Sequence, residues 1–418
     1  MRERKNDFYL IGEKLGHSHS PAIHALLGNK NYALREVPRD ELAAFFAARR
    51  FSGVNVTIPY KEAVMPLCDV LDGAAVDIGA VNTVVNMDGT LFGCNTDFDG
   101  FIFMCHLSGI DFAGKKVLIL GSGGTSKTAA AAAKKMGAAA VTKVSRSGSV
   151  NYENVYTAAH DAQIVVNTTP VGMYPNGDGC PLDIARFPDL CGVVDVIYNP
   201  LRTRLIAEAE RLHIPAAGGL AMLVAQAAFA DRYFRARTHS GENIVRIIAA
   251  MRARLTNIVL VGMPGCGKST IGKILAATTG RKLFDIDRII TERAGISIPE
   301  IFETQGESAF RDMETEVTRE VAANCGAIIA CGGGTVLREV NRAALRQNGC
   351  IFYIKRKTEN LARGGRPLSA GDGALEALYA QRHTVYEDFA DMIVPESPSV
   401  GAAAMATLEA FRRKDFSK

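Results

Sequence analysis

The residues whose types and spacing point most directly to chemistry lie late in the chain, where Gly262–Thr270 reads G-M-P-G-C-G-K-S-T. This stretch matches the phosphate-binding loop pattern G-x-x-x-x-G-K-[ST] at every fixed position. The apolar run Asn257–Val261 predicts a buried strand before it, and a helical pattern follows it. In such a loop the backbone N–H groups face nucleotide phosphates, the lysine reaches the outer phosphates and the hydroxyl suits Mg²⁺. The residues predicted to make these contacts are Gly265, Gly267, Lys268, Ser269 and Thr270.

A second glycine-rich turn lies nearer the middle of the chain. The apolar run Lys115–Leu120 predicts a buried strand, and G-S-G-G follows it before an alanine-rich helical pattern. Gly121 permits a tight turn, while Gly123 and Gly124 let a pyrophosphate approach the helix N-terminus. Because the spacing is G-x-G-G rather than G-x-G-x-x-G, this turn alone is weak evidence for a dinucleotide site.

The end of the next predicted strand indicates which dinucleotide is bound. A cofactor without a 2′-phosphate usually meets Asp or Glu there, whereas this chain has Ser145 and Arg146. A guanidinium can stack on adenine and pair with a 2′-phosphate, so we expect NADP(H) rather than NAD. The alternative is an arginine that is simply solvated at a strand end. The chain between Arg146 and the next strand, near Gln163, is too short for a full helix and two loops, which predicts a trimmed adenosine side.

Length and composition limit the class of protein. A chain of 418 residues is too long for one ordinary core and predicts two or three domains. Apolar residues make up 48% and charged residues 22%, which are globular values. The net charge of +4 comes without a basic block, and no run is apolar enough for a membrane helix, so we expect neither a nucleic-acid nor a membrane partner. The nine cysteines show no metal-ligand spacing and the N-terminus shows no secretory signal, which favours a cytoplasmic location. Composition leaves a homo-oligomer open.

Strand and helix patterns alternate along the chain, which predicts an α/β protein with parallel sheets and crossover helices. Three blocks follow from these patterns. Residues 1–105 are predicted to form an α/β ligand-binding domain, 106–254 a Rossmann-type domain, and 255–418 a phosphate-loop domain of the α/β/α type. Part of 220–254 is expected to pack back on the first block, and a lid is expected around 359–372.

Three polar features of the first block could do chemistry. Ser18 and Ser20 precede or begin a helical pattern, and two hydroxyls at a helix N-terminus suit a carboxylate. We expect Ser20 to cap this helix and Pro21 to occupy its first turn. Lys61 lies just past a strand end and Asp97 opens another helical pattern. Taken singly, Lys61 is more often a solvated lysine and Asp97 a helix cap.

Together these features resemble shikimate dehydrogenase. The resemblance spans about Asp7 to Arg252 and rests on seven motifs in order, S-x-S-P, N-V-T-I-P-x-K, A-V-N-T, N-T-D, G-x-G-G, N-T-T-P-V-G-M and M-L-V-A-Q-A. It implies reduction of 3-dehydroshikimate to shikimate by NADPH. Two departures from the family pattern, Ala221 for Gly and Lys127 for Arg, do not touch the chemistry that it implies.

By this resemblance, Lys61 and Asp97 form the proton-transfer pair at the oxygen that changes oxidation state. An ammonium group stabilises the charge that develops there, and a carboxylate orients that ammonium group and tunes its acidity. The residues implied at the substrate are Ser18, Ser20, Thr57, Asn82, Tyr198 and Gln226, with the two serines at its carboxylate. The residues implied at the cofactor, besides those already named, are Thr168, Gly219 and Met222.

The acceptor of the phosphoryl group must be inferred from residues beyond the phosphate loop. Asp285 and Asp287 follow the next strand, and carboxylates there can assist Mg²⁺ and accept a proton from an attacking hydroxyl. Arg311 follows a helical stretch, and the triple glycine 332–334 ends a strand, where backbone can approach a small ligand. Gly364-Gly-Arg-Pro-Leu368 is typical of a lid that carries a cation. The alternatives are a helix cap for Asp287, a surface ion pair for Arg311 and a plain turn for the glycines.

As a set, these residues resemble shikimate kinase from about Thr256 to Phe411. The resemblance implies that Asp287 acts beside the attacking hydroxyl, that Lys268 and Arg366 stabilise the transferring phosphoryl group, and that Ser269 and Asp285 attend Mg²⁺. The residues implied at the acid are Arg311 and Arg382 at its carboxylate and Gly333 and Gly334 along its ring. Arg363 is loosely matched to the adenine.

The two resemblances support each other, because the product of the first reaction is the substrate of the second. We therefore expect a bifunctional enzyme of aromatic amino-acid biosynthesis that uses NADP(H), ATP and Mg²⁺. Three alternatives stay open from the residues. The first half could prefer quinate, the second half could phosphorylate a nucleotide or another small molecule, or both sites could belong to a sensor without turnover.

Overall fold

The structure is a computed structural model that describes residues 7–16, 18–362 and 374–416. The chain divides into two compact units. The first contains the residues up to Asn199 together with Thr203–Met251, and the second contains Arg252–Phe416 together with Pro200–Arg202. In the described ranges no helix is long and apolar enough to cross a membrane.

The first unit begins with a mixed six-stranded sheet. Its strand order is β2-β1-β3-β5-β6-β4, with β3, β5 and β6 antiparallel neighbours and the other pairs parallel. The strands are β1 (Phe8–Gly12), β2 (Tyr32–Glu36), β3 (Gly53–Val56), β4 (Val70–Leu71), β5 (Thr83–Met87) and β6 (Thr90–Cys94). The helices of this part are α1 (Ser20–Leu26), α2 (Leu42–Ala47), α3 (Gly73–Ile78) and α4 (Thr96–Leu107).

A second, wholly parallel sheet follows in the same unit, in the order β11-β10-β9-β7-β8. Its strands are β7 (Lys116–Leu120), β8 (Ala140–Val144), β9 (Ile164–Asn167), β10 (Gly192–Asp195) and β11 (Ala216–Gly218). The helices are α5 (Gly124–Lys135), α6 (Val155–Ala158), α7 (Arg204–Arg211) and α8 (Leu220–Arg235). Between β8 and β9 the only helix is α6, of four residues, which confirms the trimmed adenosine side.

Helix α8 returns from the parallel sheet to the core of the mixed sheet. Ala230 and Phe234 are buried in one cluster with Leu10 and Tyr32. The Phe234 ring fills the space beside Gly53, where a Cβ would lie 2.4 Å from a ring carbon. This return brings the middle of α8 alongside the strand ends of the first sheet, because one helix spans both parts.

The second unit is a parallel five-stranded sheet in the order β13-β14-β12-β15-β16. The strands are β12 (Asn257–Val261), β13 (Leu283–Asp285), β14 (Ile328–Ala330), β15 (Gly349–Ile354) and β16 (Met392–Val394). Helix α9 (Gly241–Leu255) contains the boundary between the units. The later helices are α10 (Lys268–Thr279), α11 (Ile286–Ala294), α12 (Ile298–Ala322), α13 (Glu339–Asn348), α14 (Ala374–Phe389) and α15 (Val400–Arg413).

The central strand of this sheet is β12, which is buried at all five residues. It runs into the phosphate loop and then α10, as the sequence predicts. Gly262, Gly265 and Gly267 have φ values of 142°, 85° and 98°, which only glycine adopts readily. Parallel strands carry ligands beyond their carboxyl ends, so this topology places the loop at the edge where a site forms.

Candidate active sites

The first unit holds a cavity of about 230 Å³ beyond the strand ends of both its sheets. The lining includes every residue that the sequence assigned to substrate binding or proton transfer in this half. These are Ser18, Ser20, Thr57, Lys61, Asn82, Asp97, Tyr198 and Gln226. Met222 and Gly219 line the same cavity, so the residues expected beside the nicotinamide lie next to those expected at the substrate.

Lys61 and Asp97 form the charged centre of this cavity. The Lys61 Nζ lies 2.6 Å from the Asp97 Oδ2, and the two side chains are only 16% and 10% exposed. Asp97 lies in the first turn of α4, where the helix dipole stabilises a carboxylate. Asn95 caps that helix by accepting a hydrogen bond from the Phe98 N–H, so Asp97 is not the cap and its side chain is available to the lysine.

Asn82 is held in place by the start of α4. Its Oδ1 accepts the Thr96 N–H at 2.7 Å, and its Nδ2 donates to the Thr96 hydroxyl at 3.1 Å. Gln226 projects from α8 and donates to the Leu223 carbonyl at 2.9 Å. Both amides are buried, so the polar surface that they offer a ligand is fixed before binding.

Sequence reasoning missed Asn55, which also lines this cavity. Its Oδ1 accepts the Tyr32 hydroxyl at 2.8 Å and lies 3.3 Å from the His24 Nε2, and its Nδ2 donates to Thr83 at 3.0 Å. Burial lowers the pKa of His24 to about 3, so this imidazole is neutral. The available signal was the position of Asn55 on a strand that is otherwise apolar.

The serine pair departs from the expected helix cap. Ser20 is the first residue of α1 rather than its cap, and the cap position is taken by His19, which makes no capping hydrogen bond through its side chain. The Ser18 hydroxyl instead accepts the Ser20 N–H at 3.3 Å and donates to the Ser20 hydroxyl at 3.2 Å. Pro21 does lie in the first turn, as predicted.

A second cavity, of about 580 Å³, adjoins the first and shares Ile58, Lys61 and Thr125 with it. The glycine turn forms one wall through Gly123 and Gly124, and Thr168 lies beside them. Gly121 has a φ of 112°, and a Cβ there would lie 2.7 Å from the Thr168 hydroxyl, so this turn requires glycine. Lys127, which stands where the family pattern has Arg, forms an ion pair with Glu62 at 2.8 Å.

The turn fits a dinucleotide. A Cβ at Gly123 or Gly124 would meet nothing within 4 Å, so the start of α5 faces open space where a pyrophosphate could contact backbone N–H groups. Ser145 and Arg146 lie after β8, outside the lining of either cavity. Arg146 is exposed and acts electrostatically on Tyr152, whose pKa is raised by burial and lowered in part by this arginine.

The second unit has its own cavity, of about 290 Å³, between the phosphate loop and α12. Its lining brings together most of the residues that the sequence assigned to phosphoryl transfer: Gly265, Gly267, Lys268, Ser269, Thr270, Asp287, Arg311, Gly333, Gly334 and Arg382. Arg363 and Arg366 lie outside the described residues, as does most of the lid expected around 359–372.

Lys268 is buried under the phosphate loop. Its Nζ donates to the carbonyls of Gly262 at 2.8 Å and Met263 at 3.0 Å. These contacts keep the ammonium at the loop, where nucleotide phosphates would sit. Ser269 is exposed at the start of α10, and Asp285 caps α11 by accepting the Arg288 N–H at 3.2 Å. The loop conformation, the lysine and the serine therefore fit a nucleotide with Mg²⁺.

The triple glycine is not a plain turn, because each of its residues packs against a functional group. A Cβ at Gly332 would lie 2.5 Å from the Asp287 Oδ1, and one at Gly334 would lie 2.2 Å from the Arg311 Nη1. Gly333 is equally close to Pro264 of the phosphate loop. Only glycine lets the aspartate, the arginine and the loop converge on one cavity.

Sequence reasoning also missed Glu314, which is buried in this cavity. Its Oε2 accepts the Arg311 Nη1 at 2.9 Å, and its Oε1 accepts the Thr335 hydroxyl at 2.7 Å. The available signal was that Glu314 lies three residues after Arg311 on a helix, a spacing at which two side chains can pair. Arg382 donates to the Gly333 carbonyl at 3.4 Å, and the Tyr386 hydroxyl donates to the same carbonyl.

Comparisons with known proteins find matches for both halves of the chain. Residues 10–84 match the shikimate dehydrogenase substrate binding domain, and residues 264–411 match shikimate kinase. The chain is 36% identical over 259 residues to a shikimate dehydrogenase (NADP(+)) of Symbiobacterium thermophilum, which covers 54% of this chain and 88% of that protein. It is 35% identical over 250 residues to the Moorella thermoacetica enzyme of the same name, over 53% of this chain and 85% of that protein.

The chain belongs to the shikimate dehydrogenase family. A shikimate 5-dehydrogenase structure from Thermus thermophilus, in complex with NADP(H) and shikimate, matches with a TM-score of 0.52 and 33% identity over 57% of this chain and 97% of that one. A chorismate mutase/shikimate 5-dehydrogenase fusion protein from Clostridium acetobutylicum matches with a TM-score of 0.56 and 31% identity over 59% and 97%. With a shikimate kinase domain in its second half, the chain is a bifunctional enzyme.

Proposed function

We propose that this protein reduces 3-dehydroshikimate to shikimate with NADPH and then phosphorylates the 3-hydroxyl of shikimate with ATP and Mg²⁺. The supporting observation is the Lys61–Asp97 pair, 2.6 Å apart, in a cavity that also contains the serine hydroxyls and adjoins the dinucleotide turn. The cavity of the second unit combines a phosphate loop with two buried arginines, which suit the carboxylate of the same acid.

In the dehydrogenase half, NADPH supplies the hydride when it is bound. The residues of the chain manage the substrate and its proton. Ser18 and Ser20 hold the carboxylate, and Thr57, Asn82 and Gln226 hold the hydroxyls. The Lys61 ammonium donates a proton to the oxygen as negative charge develops there, and Asp97 keeps that ammonium oriented. Arg146 pairs with the 2′-phosphate, a role consistent with the NADP(+) in the names of the relatives.

In the kinase half, ATP supplies the phosphoryl group when it is bound. Asp287 accepts the proton of the attacking hydroxyl, and Lys268 neutralises charge on the transferring group. Arg311 and Arg382 hold the carboxylate, while Gly333 and Gly334 let the ring approach the backbone. Ser269 would hold Mg²⁺ through its hydroxyl, and Asp285, which caps α11 through one of its two carboxylate oxygens, would assist.

The proposal is tested with the full chain, 3-dehydroshikimate, NADPH and ATP·Mg²⁺ in one cuvette. NADPH absorbance should fall first, and ADP release should follow and should require NADPH, since shikimate has to be made before it can be phosphorylated. ADP release that is independent of both NADPH and added shikimate would contradict the kinase assignment.

A second candidate substrate for the first half is quinate. A quinate dehydrogenase from Corynebacterium glutamicum, in complex with NAD, matches with a TM-score of 0.53 and 28% identity over 58% of this chain and 98% of that one. Initial rates of oxidation of shikimate and quinate by the same preparation decide between the two acids.

We further propose a cytoplasmic location. All nine cysteines are free thiols, and the cytoplasm is a reducing compartment in which thiols stay unpaired. Fractionation of cells that produce the protein, followed by detection in the cytosolic fraction, tests this location.

A further inference from the structure

Arg311 of the kinase cavity is paired with two carboxylates at once. Its Nη1 donates to the Glu314 Oε2 at 2.9 Å. Its Nε and Nη2 both donate to the Glu307 Oε1, at 3.2 and 3.0 Å. The Nε–Nη2 edge is one of the two edges of a guanidinium that can grip a carboxylate with two parallel hydrogen bonds. In this state, Glu307 occupies that edge.

The two glutamates differ in how readily their carboxylates can separate from Arg311. The Glu314 side chain is 1% exposed and also accepts the hydroxyl of the buried Thr335, so it is fixed. The Glu307 side chain is 54% exposed, whereas that of Arg311 is only 11% exposed. Glu307 directly follows Gly306, where φ is 82° and ψ is 166° and α12 is kinked. Its half-exposed carboxylate can therefore turn into water.

Arg382 shows that this cavity is prepared for an anion. The residue is 4% exposed, and its Nε has no hydrogen-bond partner within the described parts of the chain. Its Nη1 donates to the Gly333 carbonyl over a long distance, 3.4 Å. A buried guanidinium N–H without a partner is costly, and a bound carboxylate removes that cost.

We propose that the Glu307 carboxylate is an internal competitor for the acid group of the kinase substrate, a role that rests on the proposed kinase function. Glu307 occupies Arg311 while the site is empty, and the acid replaces it on binding. With both glutamates in place, the two arginines are neutralised. With Glu307 turned into water, the same cluster has one net positive charge, which matches one carboxylate.

This exchange has a consequence for specificity. Arg311 is never left as an uncompensated charge, because one carboxylate replaces another. A ligand of the same shape without an acid group cannot replace the Glu307 carboxylate at Arg311. The Arg311–Glu307 ion pair then stays in place and opposes binding of that ligand. Glu307 thus selects for acids at the cost of some affinity for them.

The test compares the full chain with E307Q and with E303Q. Glu303 is exposed on the same helix, so E303Q removes the same charge nearby without altering an Arg311 contact. Kinase rates are measured with saturating ATP·Mg²⁺ and varied shikimate, and shikimate binding is measured by calorimetry. In E307Q the KM and Kd for shikimate should fall about two- to fivefold with kcat unchanged, since a half-exposed ion pair is worth that much. E303Q should match the wild type.

Each other outcome contradicts the competitor role. A higher KM in E307Q would mean that Glu307 holds Arg311 in position for the acid. An unchanged KM would mean that the pair is idle, and an equal fall in E303Q would reduce the effect to overall charge. The kinase kcat, which should be unchanged, reports that the second unit is folded. Dehydrogenase rates on the same preparations should stay constant, because that site lies in the first unit. A wild-type chain that does not phosphorylate shikimate would instead overturn the proposed function.

Discussion

The cavity that contains the Lys61 ammonium also contains the Asp97 carboxylate and several hydroxyl groups. Thr125, next to the glycine turn, lies in the same lining. The proximity of Lys61 to Asp97 could be expected from the sequence only through the family motifs, because the two residues are 36 positions apart. Asn55, Glu307 and Glu314 were not found in that way. Their roles depend on burial and on which edge of a partner they occupy, which residue types do not reveal.

Lys61→Ala should lower NADP-linked oxidation of shikimate by about a hundred- to ten-thousandfold, the usual contribution of a positioned proton donor. The kinase rate of the same variant should be unchanged. The measurement is the initial rate of each activity on one preparation, with Lys30→Ala, an exposed lysine on the same unit, as the control. Equal loss of both activities would contradict the assignment.

Arg146→Ala should raise the KM for NADPH by roughly ten- to a hundredfold, since a charge-assisted hydrogen bond is lost. The KM for NADH should change little, because NADH has no 2′-phosphate. Initial-rate kinetics with both cofactors give the answer. If both KM values rise by the same factor, Arg146 does not contact the 2′-phosphate.

Among the elements, the strands and helices that follow glycine turns could be predicted from sequence. The helical pattern after the phosphate loop predicts α10, and the residue count predicts the short β8–β9 connection. The kink at Gly306 was not predicted, because a single glycine in the polar stretch 303–308 does not by itself indicate a kink, and α12 extends on both sides of it over 25 residues in all. A left-handed glycine inside such a pattern becomes visible only in the backbone angles.

The end of β10 contains a buried carboxylate, Asp195, that ties together three neighbours. Its oxygens accept hydrogen bonds from Asn167 at 3.1 Å, the Ile197 N–H at 3.1 Å and the Thr203 hydroxyl at 2.7 Å. Thr203 also caps α7 through the Ile206 N–H. Burial raises the pKa of Asp195 from 3.8 to about 6 despite these donors.

Asp195→Asn should remove a pH dependence of stability. In the wild type the folded state binds the proton more tightly than the unfolded state, so this stabilisation is complete below the unfolded pKa of 3.8 and is lost as pH rises through about 6. The wild-type free energy of unfolding should therefore fall relative to the variant by about 3 kcal/mol over that range. Urea unfolding followed by circular dichroism at several pH values measures it. The exposed Asp189→Asn should show no such trend, and a constant difference for Asp195→Asn would contradict the assignment.

On the scale of the whole molecule, each of the two units contains its own cavity lined by predicted site residues. Every described lining residue of the dehydrogenase cavities belongs to the first unit, and every one of the kinase cavity belongs to the second. The order of the blocks could be read from the motifs, because each motif is local. Such local motifs do not predict how the units are arranged.

Because the sites are separate, two inactive variants should complement each other. Lys61→Ala should retain little of the first activity, and Asp287→Asn should lack the second while still binding ATP. An equimolar mixture should convert 3-dehydroshikimate to shikimate 3-phosphate, whereas neither variant should do so alone. Product is measured by chromatography, and nucleotide titration of Asp287→Asn checks its ATP site. A mixture as inactive as its components would mean that intermediates cannot pass between chains or that the sites depend on each other.

The kinase cavity has an aromatic wall, in which the Phe302 and Phe310 rings lie 4.9 Å apart. The chain contains no tryptophan. A single indole introduced as Phe302→Trp would therefore be the sole tryptophan fluorophore of the protein, located in the lining of this cavity at a half-buried position. Its emission would report occupancy of one cavity without interference from the other, so arrival of shikimate made by the first site could be timed in a stopped-flow instrument.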